Sequence, residues 1–436
     1  MVALVAEEPW DKSPCRESGE LRVESGRDHS PNGPRLEDGL ARCAMFGMRP
    51  GLESIRRVCA ALGDPQNAMR VVHVAGTNGK GATCAMIESS LRAAGFRTGR
   101  YTSPHLISLN ERFMLDGVPV DEKKLDETYA SMPGLEGLTY FELLTAVGFE
   151  LFRRDHVDYL VLETGLGGRL DATNIVKRPE VCVITRIGLD HCDWLGGTLR
   201  EIAAEKGGII KEGVPVVLGA MPGEARETLE RIAAERNAPC VYAPEKVSED
   251  DIPEGFALEG KFNRENALTA MATLKVLGVD SASIGKGFAS VSWPGRFQKV
   301  VYNGKRFIVD GAHNPPAMRA LVDSLKEGFD VRAAICGFCG DKDVSANLTL
   351  LREVADCGFA VAIRNPRTLQ SKETALMMRE AGFASVQECG TIEEALSLAP
   401  DGTVVCGSLF LAGEALEILR ATDGRAGKFI PNETFR

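Results

Sequence analysis

The segment VVHVAGTNGKGATCAMIESSLRAAG, from Val71 to Gly95, constrains the chain more than any other. An apolar run of strand length ends at Gly76, a glycine-rich turn follows, and apolar residues then recur at helical spacing. A strand feeding a helix through such a turn places successive backbone N–H groups and the helix N-terminus around one point, which suits a phosphate. Lys80 adds a point charge there, and Gly79 and Gly81 let the backbone approach closely. Thr77, Asn78, Gly79 and Lys80 are therefore expected to cradle the phosphates of ATP. The distance from Gly76 to Lys80 is shorter than in the usual Walker loop, and the hydroxyl normally found after the lysine is replaced by Gly81 and Ala82. Thr83 or a residue elsewhere must then help to hold Mg²⁺.

The rest of the chain supplies the frame. VDYLVLET, EVCVITRI and VPVVLGA are strand-like and alternate with helical segments such as FELLTAVGFELFRR and ETLERIAAER, the order of a mostly parallel α/β sheet. ENALTAMATLKVLG reads as a further helix before Pro294 and Gly295 break the pattern. Beyond them RFIVDGA, VRAAICGF, FAVAIR and TVVCGS alternate with helices expected to begin near Pro316, Leu348, Ser371 and Ile392. A chain of 436 residues exceeds what one core usually supports. The expected division is a disordered tail over 1–35, an ATP-binding α/β domain over 36–293 and a smaller Rossmann-like α/β domain over 294–436. Two short helices, LEDGLARCAMF and LESIRRVCAAL, should open the first domain.

Composition removes several classes of function. The formal net charge of −10 disfavours a nucleic-acid backbone as partner. No apolar stretch is long enough to span a bilayer, and the acidic start MVALVAEEPWDKSP is unlike a secretory signal. Twelve cysteines without disulfide-framework spacing read as buried thiols in a reducing compartment, so a cytoplasmic protein is expected. Cys336 and Cys339 lack a second pair at zinc-site spacing.

Candidate metal ligands lie where other strands end. Ser103 follows a short strand in YTSPHL. Glu163 closes YLVLE, where a carboxylate beside a phosphate loop suits Mg²⁺. The following TGLGGRLDATN, with adjacent glycines and Arg169, Asp171 and Asn174, is a tight polar loop fit for a ligand, and Leu170, Asp171 and Ala172 are candidate substrate contacts. Asp190 and His191 end a third strand at the carboxyl edge where open α/β sheets bind ligands, but Mg²⁺ prefers oxygen and spacing alone does not make His191 its ligand. Lys206, in REIAAEKGGIIK, looks from its spacing like an ordinary surface lysine.

Taken in order, VAGTNGKGATCA, YTSPHL, LETGLGGRLDATN, GLDHCDWLG, EKGGIIK, PGRFQ and DGAHNP resemble the dihydrofolate synthase and folylpolyglutamate synthase family of the Mur ligase superfamily, over about residues 36 to 436. The resemblance implies an ATP-dependent carboxylate–amine ligase that adds L-glutamate to dihydropteroate or a reduced folate through an acyl phosphate. It implies two Mg²⁺ ions, one held by Ser103 and Glu163 and the other by His191 with a carbamylated Lys206. Asn266, Arg296 and Asp310 would complete the ATP site, with Lys80, Lys206, His191 and Arg296 serving catalysis. Thr139, Tyr140, Phe141 and Glu142 match a region that contacts dihydropteroate. His313 lies in the DGAHNP motif without an assigned role, and Ala82 departs from the family's usual Ser or Thr. A monomer is expected. Two rivals are a Mur-type ligase acting on a cell-wall precursor and a P-loop switch that makes no amide bond.

Overall fold

The computed structural model describes residues 34–43, 49, 51–340 and 342–421. All but the end of the expected N-terminal tail lies outside the described residues. The first sheet comprises β1 (Arg70–Ala75), β2 (Thr98–Tyr101), β3 (Phe113–Leu115), β4 (Val118–Pro119), β5 (Tyr159–Glu163), β6 (Val181–Ile184), β7 (Val216–Leu218) and β8 (Cys240–Tyr242). Its order is β4-β3-β2-β5-β1-β6-β7-β8. From β2 to β8 all neighbours run parallel, while β3 and β4 form an antiparallel margin.

The apolar runs follow from this topology. In β5 and β6 every residue is buried, because helices cover both faces of a parallel sheet. One face packs against Lys80–Ala93, Lys261–Val276 and Ser281–Ser290. On the other face, Glu53–Ala61 and Tyr140–Arg154 cover the β5 side, while Leu199–Gly207 and Gly223–Glu235 cover β6 and β7.

The second sheet comprises β9 (Gln298–Tyr302), β10 (Lys305–Val309), β11 (Ala333–Cys336), β12 (Cys357–Ala360), β13 (Ser385–Glu388) and β14 (Thr403–Cys406), in the order β13-β12-β11-β14-β10-β9. Only β9 is antiparallel to its neighbour. Pro315–Lys326, Val344–Leu351 and Ser371–Glu380 cover one face, and Ile392–Leu398 with Leu409–Ala421 the other.

Local differences from the sequence reading have simple causes. The helix expected near Leu348 begins at Val344, because Asp343 accepts from the Ala346 N–H at 3.0 Å and caps it. The cysteines are not uniformly buried: Cys192 and Cys240 are exposed. The strands β3, β4, β9 and β13 had no clear sequence signal, being short or half-exposed edge elements.

Candidate active site

β1 lies between β5 and β6, so the turn after it opens at the point where the chain's direction of travel across the sheet reverses. Gly79 adopts φ +86°, and a Cβ there would sit 2.1 Å from the Asn266 side-chain oxygen, so only glycine fits. The loop is fastened from the β6 side. Thr77 N–H donates to the Arg186 carbonyl at 2.9 Å, and the Thr185 hydroxyl donates to the Asn78 carbonyl at 2.8 Å. Thr83 N–H bonds to the Gly79 carbonyl at 3.0 Å, leaving the preceding N–H groups of the helix's first turn without an intrahelical acceptor. Gly76 to Ala82, with Arg186 and Asn266, border a cavity of about 390 Å³.

Lys80 reaches back over the loop, with Nζ 3.2 Å from both the Gly76 and Thr77 carbonyls and 3.9 Å from Glu163 Oε1. Thr83 cannot supply the hydroxyl missing after the lysine. It is fully buried behind the cavity wall, and its Oγ1 has no partner.

Ser103 and Glu163 come together at the ends of neighbouring β2 and β5. The Ser103 N–H donates to Glu163 Oε2 at 3.1 Å. Burial raises the Glu163 carboxyl above its ordinary value, opposed by the Lys80 charge and the Ser103 bond. His191 sits at φ +53° with its ring partly exposed, 3.9 Å from Asp190. Burial, outweighing Asp190, holds its imidazole below the ordinary value. Lys206 is not the surface lysine its spacing suggests: only 4% of it is exposed. Burial, then the Lys80 charge, depress its amine to about 7.

Among the described residues no group of three or more His, Cys, Asp or Glu side chains could by itself hold a metal ion. Ser103, Glu163, His191 and Lys206 nevertheless line the same cavity. A hydroxyl and a carboxylate facing a phosphate loop suit Mg²⁺, which commonly takes one or two carboxylates and completes its shell with phosphates and water. Ser103 and Glu163 therefore fit such an ion.

The opposite wall comes from the second sheet. Asp310, after β10, accepts from the Phe297 N–H at 2.8 Å and the Ala312 N–H at 2.7 Å. Arg296 lies so close to Gly311 that a Cβ there would be 2.2 Å from its Nη1. His313 Nδ1 is 2.8 Å from the Gly311 carbonyl, which can only accept, so the proton sits on Nδ1 and Nε2 keeps its lone pair. Burial depresses the His313 imidazole to about 4, so it is neutral at ordinary pH.

Three contributors escaped the sequence reading. Asn314 donates to Asp190 at 2.7 Å, Lys342 approaches Asp190 at 3.2 Å, and Arg186 lines the cavity. Asp190 is held near pH 2; burial opposes this, but the charges of His191 and Lys342 prevail. Nothing marked Lys342 in sequence except its glycine-containing loop after β11.

The expected substrate contacts stand apart from this cavity. Thr139 and Glu142 cap the helix Tyr140–Arg154 reciprocally, the hydroxyl accepting from the Glu142 N–H and the carboxylate accepting from the Thr139 N–H at 2.9 Å. Phe141 packs on Gly165, which does line the cavity, and Tyr140 borders a separate hollow with Leu36 and His105. Asp171 is buried and accepts from Leu166 and Thr173 N–H groups; Ala172 is buried, and Leu170 is exposed.

The sequence matches the Mur ligase middle domain over residues 74–274 and the Mur ligase, glutamate ligase domain over residues 295–409. It is 36% identical to the dihydrofolate synthase/folylpolyglutamate synthase of Escherichia coli K12, across 85% of this chain and 92% of that one. The chain belongs to the dihydrofolate synthase/folylpolyglutamate synthase family. The family's Bacillus subtilis member is also 36% identical, over 65% of this chain and 74% of its own. Two solved structures extend the likeness through the fold. E. coli FolC in complex with DHPP and ADP has a TM-score of 0.81 at 32% identity, covering 90% of this chain and 99% of that one. The Mycobacterium tuberculosis folylpolyglutamate synthase complexed with ADP also has a TM-score of 0.81, at 29% identity, covering 88% and 97%. A third family structure, a bifunctional synthase with Mn, AMPPNP and L-glutamate bound, has a TM-score of 0.77 at 30% identity, covering 89% and 99%.

Proposed function

We propose that this protein is an ATP-dependent ligase that joins L-glutamate to dihydropteroate, to reduced folates or to both, through an acyl phosphate. The observation that carries the reading is the cavity itself. The Lys80 loop with Ser103 and Glu163 forms one wall, and Arg296, Asp310 and His313 form the other. A phosphoryl donor and a nucleophile can meet there away from bulk water. Family membership and relatives crystallised with nucleotide, with DHPP and with L-glutamate support the same assignment.

The chemistry follows from the reactants. A carboxylate is a poor electrophile, and its oxygen is a poor leaving group at neutral pH. Attack of the substrate carboxylate oxygen on the γ-phosphorus of ATP breaks the bond to ADP and makes an acyl phosphate. The glutamate amine, having lost a proton, then attacks the carbonyl carbon, and phosphate departs with the C–O electron pair. Lys80, the first-turn N–H groups and Arg296 neutralise charge on the transferring phosphoryl group. Thr77, Asn78, Gly79, Asn266 and Asp310 hold the nucleotide. Ser103 and Glu163 would hold one Mg²⁺, and His191 with carbamylated Lys206 a second; such ions would supply charge neutralisation for the phosphates. The neutral Lys206 amine is the form that reacts with CO2, and its burial favours that form. His313, which lines the cavity and keeps the Nε2 lone pair, would accept a proton from the incoming amine. Thr139 to Glu142 and Leu170 to Ala172 would receive the pterin, with the substrate's carboxylate reaching the cavity past Gly165 and Leu166.

In the same reading residues 36–293 and 294–436 are the two domains, and the protein acts as a monomer in the cytoplasm. Oxygen tracing tests the route. With ¹⁸O in the substrate carboxylate, label appears in inorganic phosphate; label in AMP, or in neither product, overturns it.

A further inference from the structure

Trp293 lies in the connection between the two sheets, immediately before Pro294. The rim of its indole packs against the phosphate loop at Gly81. A Cβ added to Gly81 would sit 2.1 Å from the ring's Cζ2, so Gly81 lacks a side chain because Trp293 fills that space. The Arg100 guanidinium stands 5.3 Å from the centroid of the same ring. Arg100 is itself fixed: it is 6% exposed, its Nη1 is 3.5 Å from Glu88, and its Nε has no partner. Glu88, on the phosphate-loop helix, also accepts from Thr98 on β2 at 2.7 Å.

The segment leading into Trp293 is equally anchored. The helix Ser281–Ser290 meets the phosphate-loop helix where the Ser89 hydroxyl donates to the Gly287 carbonyl at 2.9 Å. A Cβ on Gly287 would lie 2.5 Å from the Ser90 Cα, so the two backbones touch. From that bolt the chain crosses the loop through Trp293 and three residues later delivers Arg296. Arg296 then lies across Gly311, whose N–H donates to the Gly295 carbonyl at 2.9 Å.

We propose that Trp293 is a positioning residue for phosphoryl transfer: the indole, held against Gly81 and beside Arg100, sets where Arg296 meets the phosphates held by Lys80. This rests on the ligase reading of the site. The indole touches the loop rather than the reacting atoms, so its effect passes through Arg296. A misplacement of the order of 1 Å in such a group costs about 100-fold in rate.

The test is a double-mutant cycle on turnover, with ATP, glutamate and pterin acid varied separately. Trp293→Ala in the full-length enzyme should lower kcat about 30- to 100-fold while moving the KM for ATP much less, and Trp293→Phe should restore most of it. In an Arg296→Lys background the same Trp293→Ala change should cost less than about threefold, because the misplaced group is already compromised. Equal losses in both backgrounds would overturn the proposal, as would full activity in Trp293→Ala. If Trp293→Ala does not fold, Trp293→Leu keeps an apolar filler without the flat ring or the cation–π contact, and the cycle is read on it by the same criterion. Absence of glutamate-dependent ADP formation in the wild type would count against the ligase reading instead, which keeps the two failures apart.

Discussion

Asn78 and Asn314, 236 residues apart in the chain, face each other with their side-chain amides 3.3 Å apart. One belongs to the phosphate loop after β1, and the other caps the helix Pro315–Lys326 after β10. The Asn314 amide also donates to Asp190 at 2.7 Å, so one side chain ties together the phosphate loop, the end of β6 and the second sheet. The wall carrying Arg296 and His313 is thereby held opposite the wall carrying Lys80.

Asn314→Ala should weaken this arrangement twice over. Loss of the bond that its Oδ1 accepts from Ala317 removes a helix cap worth about 1 kcal/mol. Loss of the bonds to Asn78 and Asp190 should lower kcat/KM for ATP by at least about tenfold, a larger effect than the stability change explains. Urea unfolding beside steady-state kinetics separates the two effects. A stability loss with unchanged kinetics would confine Asn314 to capping.

Lys80→Ala should leave the fold intact, since its ammonium bonds only to two loop carbonyls beside Glu163. Turnover should fall by about 100- to 1,000-fold, the usual loss for one donor aimed at developing charge. Near-native turnover would remove Lys80 from the transfer step.

Glu163→Gln keeps the shape of a buried acceptor and removes its charge. The Mg²⁺ concentration giving half-maximal activity should rise at least about tenfold, while metal-free nucleotide binding, measured by calorimetry, should change far less. An unaltered Mg²⁺ dependence would place the ion elsewhere.

Lys206 links pH, CO2 and stability. Its amine falls from the ordinary 10.5 to about 7 on burial. Between those values the unfolded chain holds a proton that the folded chain releases, so this group's contribution to stability declines as pH falls through that window. Lys206→Met should therefore melt higher than wild type at pH 7, by roughly a few degrees, yet be nearly inactive. Wild-type activity should fall in CO2-depleted buffer and return with bicarbonate, more completely above pH 7 than below it. Indifference to CO2 would exclude the carbamate.

Much of this architecture could be read from sequence because parallel strands buried on both faces leave unbroken apolar runs. Val181–Ile184 and Thr403–Cys406 are examples. The strand Ser385–Glu388 is largely exposed and Gln298–Tyr302 half-buried, so their polar residues hid them. Site residues divided along similar lines. Lys80 and Glu163 announce themselves through local context, a glycine turn and a strand end. Lys206 does not: its burial comes from how helix Leu199–Gly207 packs, and spacing alone made it a surface charge. Lys342 and Trp293 act across distances of chain that no local pattern encodes.

The most direct test of the central claim is ADP formation by the purified protein with ATP and Mg²⁺, with and without L-glutamate, comparing 7,8-dihydropteroate and tetrahydrofolate as acceptors. Glutamate-dependent ADP release with either acid, matched one for one by the glutamylated product, is the predicted result; ADP release indifferent to both glutamate and the acid, or none with either acid, would contradict it.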